Sequence, residues 1–155
     1  MSHLTRRSLL AGLGAALAAP ASAQAPAVFS SVTVDIAPLL RRGAGPEAEF
    51  MRAVMQEELR RVLAERIGGR GPRLVVRLQT AQFTLGTSGA PSTRGSDYLD
   101  GELLVVGRRG EILQVVPQLL ALPPSGGSTI WTPTSERLRL TYLAQTYAQW
   151  VPRRI

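Results

Sequence analysis

The sequence predicts an α+β fold. It reads as a two-layer sandwich in the order β-α-β-β-β-α, with two helices on one face of a mostly antiparallel four-stranded sheet. Three observations predict it. From Glu47 to Ile67, apolar residues recur every fourth position. Four other stretches alternate apolar and polar residues, as half-buried strands do. Gly- and Pro-rich segments separate these runs, and such segments punctuate secondary structure.

Val28 to Ile36 reads as the first strand, with Val32, Val34 and Ile36 against Thr33 and Asp35. Pro38 to Pro46 reads as a loop, and Pro46 suits the first position of a helix. In the helix that follows, Met51, Met55, Leu59, Leu63 and Ile67 form a stripe widened by Phe50, Val54 and Val62. A lone amphipathic helix must bury such a face, so the stripe is core. On the opposite side, Glu57 with Arg61 and Arg61 with Glu65 are spaced for surface pairs, and Gly68-Gly69 ends the helix.

Arg73 to Leu85 reads as a long strand with Leu74, Val76 and Leu78 facing one way. A Gly/Ser/Thr loop runs from Gly86 to Ser96. Tyr98 to Val106 is the third strand, Gly107-Arg108-Arg109-Gly110 a hairpin turn, and Glu111 to Leu119 the returning strand. Pro117 places that strand at an edge or ends it early, because proline donates nothing to a ladder. The last helix starts at Thr132-Pro133, buries Leu140, Leu143, Ala144, Tyr147 and Val151, and stops at Pro152. The first two strands, joined by a helix, pair in parallel if adjacent.

Residues 1–23 read as an export signal, leaving one domain from Gln24 to Ile155. Arg6 and Arg7 form a charged start, Ser8 to Ala19 an apolar stretch, and Ala21-Ser22-Ala23 a small-residue cleavage pattern. The apolar stretch is too short to cross a hydrocarbon core of ~30 Å as a helix. Thr5-Arg6-Arg7-Ser8-Leu9-Leu10 resembles the twin-arginine motif, which implies export after folding to a periplasmic location.

Composition excludes much chemistry. The chain holds no cysteine, and all eighteen basic residues are arginine. Cleavage before Gln24 also removes His3, the single histidine. The familiar serine and cysteine triads, a lysine Schiff base and the usual zinc ligands are then unavailable, so no catalytic residue, metal site or cofactor is assigned. Sixteen arginines remain against eleven acids, a net charge of +5. This surplus suits anionic partners. The few scattered aromatics argue against stacking on nucleic acid.

Three constellations stand out. Arg70, Arg73 and Arg77 lie in a stretch without an acid, and guanidinium forks match phosphate or carboxylate. They are the candidate anion-binding residues; Arg41-Arg42 and Arg108-Arg109 are lesser candidates of the same kind. Asp97, Asp100 and Glu102 crowd the third strand. Asp100 and Glu102 share a face there, which reads as a polar sheet surface more readily than as a cation site. Trp131, beside a Gly/Pro-rich run, is a candidate partner contact, unless it folds back onto the core.

An export signal followed by β-α-β-β-β-α, with Asp97-Tyr98 opening the third strand, a glycine hairpin at Arg109-Gly110-Glu111 and an Arg-bearing last helix, resembles the lipopolysaccharide-assembly lipoproteins of the outer membrane. The resemblance covers most of the mature chain. It implies a non-catalytic envelope-assembly role with an envelope protein or an anionic lipid as partner. The lipobox cysteine that this family uses as its anchor is missing here. Two other classes compete with a binding factor. A small carboxylate-dependent enzyme acting on glycans requires two carboxylates facing each other in a cleft. An accessory subunit without a ligand requires a large exposed apolar patch.

Overall fold

The structure, a computed structural model, describes residues 28–82, 96–123 and 133–155. The signal-like residues 1–23, the loop residues 86–95, the glycines at 126 and 127 and Trp131 lie outside the described residues. The element order is β1 (Ser31–Asp35), α1 (Ala37–Arg41), α2 (Pro46–Val62), β2 (Arg73–Gln82), β3 (Asp97–Val106), β4 (Ile112–Leu122) and α3 (Pro133–Trp150). The sheet runs β1-β2-β3-β4. β1 is parallel to β2, and the other neighbours are antiparallel. The α+β sandwich, with its strand and helix order, is as the residue patterns require.

The core lies between the helices and one face of this sheet. Met55 and Leu59 of α2, Val76 of β2, Leu103 of β3 and Tyr147 of α3 are all fully enclosed. Leu140, Leu143, Ala144 and Val151 are buried beside Tyr147. Removing apolar surface from water on this scale is the main favourable term in folding.

Three local differences from the sequence expectation have physical causes. The loop expected from Pro38 contains the short helix α1, whose Leu39 is buried. Five residues are too few to display a 3.6-residue period, and the Ala37 amide donates to Asp35 Oδ1 (2.9 Å) at the helix entry. Helix α2 ends at Val62, and a 3₁₀ turn over Ala64–Arg66 replaces its last turn. There the Phe29 amide takes the Arg66 carbonyl (2.7 Å), and Ile67 bridges Phe29 as extended backbone. The ion pairs of α2 form at i,i+3 rather than i,i+4: Glu49 with Arg52 and Glu57 with Arg60 on the surface, and the buried Glu58 with Arg61.

Gln56 of α2 stands outside the apolar stripe, where a polar residue ordinarily faces solvent. It instead reaches the outer edge of β1, where its Oε1 accepts from the Val34 amide (3.1 Å) and its Nε2 donates to the Val32 carbonyl (2.9 Å). One side chain thus satisfies two of the backbone groups that an edge strand leaves open.

Candidate functional site

The helix-free face of the sheet carries Arg73 and Arg77, two of the three candidate anion-binding residues. Side chains alternate across a strand, so Arg73, Val75 and Arg77 of β2 all lie on this face. Cross-strand register sets Arg77 between Asp35 and Glu102. Its Nε donates to Asp35 Oδ2 (2.9 Å) and its Nη1 to Glu102 Oε1 (3.2 Å). Hydrogen bonding to Asp35 is the largest influence raising the Arg77 pKa. Burial pushes the Asp35 carboxyl up, but the Ala37 amide and the Arg77 guanidinium outweigh it and hold its pKa below the ordinary value. The Arg77 charge is therefore compensated within the sheet.

Arg70 and Arg73 are exposed. Arg73 is paired with Val106 at the end of β3, immediately before the hairpin turn. Arg108 in that turn donates from Nε (3.0 Å) and Nη2 (2.5 Å) to the Arg70 carbonyl. Folding thus brings Arg70, Arg73, Arg108 and Arg109 to one end of the sheet and leaves Arg77 further inside it, at the pair with Glu102. Glu111 is the nearest acid in sequence, and its Oε2 accepts the Arg109 amide (2.9 Å). The sequence contains both arginine groups; strand pairing makes them neighbours.

The DYLDGE carboxylates divide. Asp97 faces the helices and is almost fully buried, paired with Arg139 of α3 through two N–H···O bonds, one of them 3.0 Å. Glu102 is held by Arg77, and Asp100 lies beside it on the helix-free face. Asp97 is thus separated by the sheet from Asp100 and Glu102. No group of three or more His, Cys, Asp or Glu able to hold a metal ion occurs among the described residues.

A groove of about 390 Å³ crosses the outer edge of β4, lined by Asp100, Pro117, Gln118, Leu119, Leu120, Trp150 and Arg154. Asp100 is its one carboxylate. Trp150 is half exposed, with the Arg153 guanidinium 5.0 Å from its ring centroid. Gln118 is 5% exposed; its Nε2 donates to the Tyr147 carbonyl (2.9 Å), while its Oε1 has no partner. Tyr147 Oη donates to the Gln118 carbonyl (3.2 Å). Burial pushes the Tyr147 hydroxyl above its usual range, and Asp100 and Glu102 add to the shift. The sequence reading missed this groove, because its walls come from β4 and the C-terminal end of α3. The exposed apolar side chains of β4 were its one available signal.

Among the described residues, no helix is long and apolar enough to cross a membrane. The sequence matches no family model and no curated protein. Solved structures do resemble it. A Xanthomonas campestris protein of the DUF330 family aligns at TM-score 0.46 and 10% identity, over 86% of this chain and 90% of that one. A minor lipoprotein of Acinetobacter baumannii aligns at TM-score 0.43 and 11% identity, over 81% of this chain and 94% of that one.

Proposed function

We propose that the protein is an exported, non-catalytic envelope factor of the lipopolysaccharide-assembly type, which meets an anionic lipid through the arginine-bearing end of its sheet. The observation that carries this reading is the meeting of Arg70 and Arg73 with Arg108 and Arg109 at the hairpin end. Arginine stays ionised at every physiological pH and forks onto phosphate oxygens. Arg77 stands behind this end as a structural support for Asp35 and Glu102, and the anion contact rests on Arg70 and Arg73. Signal cleavage before Gln24 and delivery to the periplasm belong to the same reading. Trp131 remains in it as a contact for a partner protein. A carboxylate-dependent glycan enzyme is the weaker reading, because the groove offers one carboxylate where such chemistry uses two.

The test is binding to vesicles of phosphatidylglycerol and phosphatidylcholine, with pure phosphatidylcholine as the control. Anionic vesicles bind at low salt and release the protein as salt rises, because exposed charges are screened. Each basic residue near an anionic surface contributes about 1 kcal/mol, so the combined R70Q, R73Q and R109Q variant binds roughly a hundredfold more weakly. Its circular dichroism stays that of the parent. Equal binding to neutral vesicles, or an unaffected triple variant, overturns the reading.

A further inference from the structure

The two edges of the sheet are treated differently. β1 is short, and Gln56 occupies two of its open backbone groups, the Val34 amide and the Val32 carbonyl. β4 spans Ile112–Leu122 without a single charged residue. Ile112, Leu113, Val115 and Leu119 on it are exposed, Leu119 by 67%. Uncharged, apolar edges invite pairing with another chain, and proteins usually blunt them with charge, bulges or proline.

Such devices are present only in the first half of β4. The register slips at Leu113, between the pairs Val105 with Gln114 and Val106 with Ile112. Pro117 follows. Its missing N–H places its backbone at the open side of the strand, and Arg154 Nη2 donates to its carbonyl there (3.1 Å). Successive residues alternate direction, so Leu119 and Ala121 also present their backbone groups outward. From Gln118 to Leu122 the edge carries no bulge, proline or charge, and the groove beneath Trp150 runs alongside it.

We propose that this stretch of β4 receives an extended, apolar strand from a partner protein, with a carboxylate side chain of that strand on Arg154 or Arg153. Added strands gain affinity from main-chain hydrogen bonds and specificity from pockets for alternate side chains; the Trp150 groove is the pocket. Charge selects the occupant. Neither Arg153 nor Arg154 has an acidic partner among the described residues, and four N–H groups of Arg154 stay available beyond its bond to Pro117. A second copy of this chain does not fit, because its own β4 brings no carboxylate and its Arg153 and Arg154 would repel their counterparts. This inference goes beyond lipid contact and uses a different part of the sheet. Failure of the vesicle experiment therefore leaves it standing, and the reverse also holds.

The experiment uses the full-length protein in its native cell, with the photoreactive residue p-benzoylphenylalanine at position 119. The protein with the same residue at position 138, on the exposed side of α3, is the control. Crosslinked peptides are mapped by mass spectrometry. The expected adduct joins position 119 to one segment of a different protein, in which apolar residues alternate and an Asp or Glu is present. Converting that acid to Lys reduces the adduct at least tenfold, and R153E with R154E in this chain restores it. Thermal denaturation of each variant verifies its fold. An adduct with a second copy of this chain, an adduct with lipid, no adduct, or an adduct indifferent to the charge exchange each overturns the proposal.

Discussion

Glu58 shows how much one side chain's setting depends on its neighbours. It lies on α2, is 7% exposed, and meets Arg61 Nε (2.9 Å), Arg61 Nη2 (2.5 Å) and Gln149 Nε2 (2.9 Å). The Arg61 hydrogen bonds lower its pKa most, burial opposes them, and Gln149 adds to the lowering; the result lies below the ordinary 4.5. A depressed carboxyl stabilises the fold above its unfolded pKa and loses that contribution as pH falls through the folded one. Stability of the parent therefore falls with acid below about pH 4.5, and E58Q shows a shallower fall over the same window. Urea midpoints from about pH 3 to 6 measure the difference. Equal slopes would mean that Glu58 is not held by Arg61 in solution. The sequence placed no role on Glu58, because Gln149 lies ninety-one positions away.

At the scale of elements, β3 and α3 approach closely over Gly101. A methyl group built there would stand 2.3 Å from the Arg77 carbonyl oxygen and 2.9 Å from Tyr147 Oη. The first contact is backbone, so β2 and β3 must move apart to admit it. This happens beside the register slip between Leu78 and Thr80, where the twist of the sheet increases. Overpacking of this kind costs about 1–3 kcal/mol, so G101A loses that much stability in chemical denaturation. Y147F in the same background relieves the second contact and leaves the first. A neutral G101A would show that β2 and β3 are looser than the structure has them. The demand for glycine at position 101 comes from a strand and a helix distant in sequence, so local pattern does not reveal it.

For the whole molecule, the prediction concerns export. Protein recovered from the periplasm begins at or near Gln24, as intact mass verifies, and a Met1 form held in the cytoplasm contradicts the signal reading. Replacing Arg6 and Arg7 together by Lys keeps the positive charge that a plain secretory signal needs. It abolishes export by a twin-arginine route, which reads the arginines themselves. Undiminished export of that variant assigns the general secretory route.

Local pattern by itself determined the order of the strands, the two long helices and the buried faces of Met55, Leu59, Val76 and Tyr147; it left the Pro117 strand at an edge or ending early, and the structure carries that strand along the edge to Leu122. Each depends on spacing within a few residues, through the 3.6 and 2.0 periods of helix and strand. Tertiary structure alone decided which charges survive as free surface. The sequence offered Arg70, Arg73 and Arg77 as one group, and strand register put Arg77 between Asp35 and Glu102. It sent Asp97 inward to Arg139 and brought Arg108 to the Arg70 carbonyl. It also closed one sheet edge with Gln56 and left the other beside Trp150. Such pairings join residues 22 to 42 positions apart or more, and periodicity carries no information across that distance.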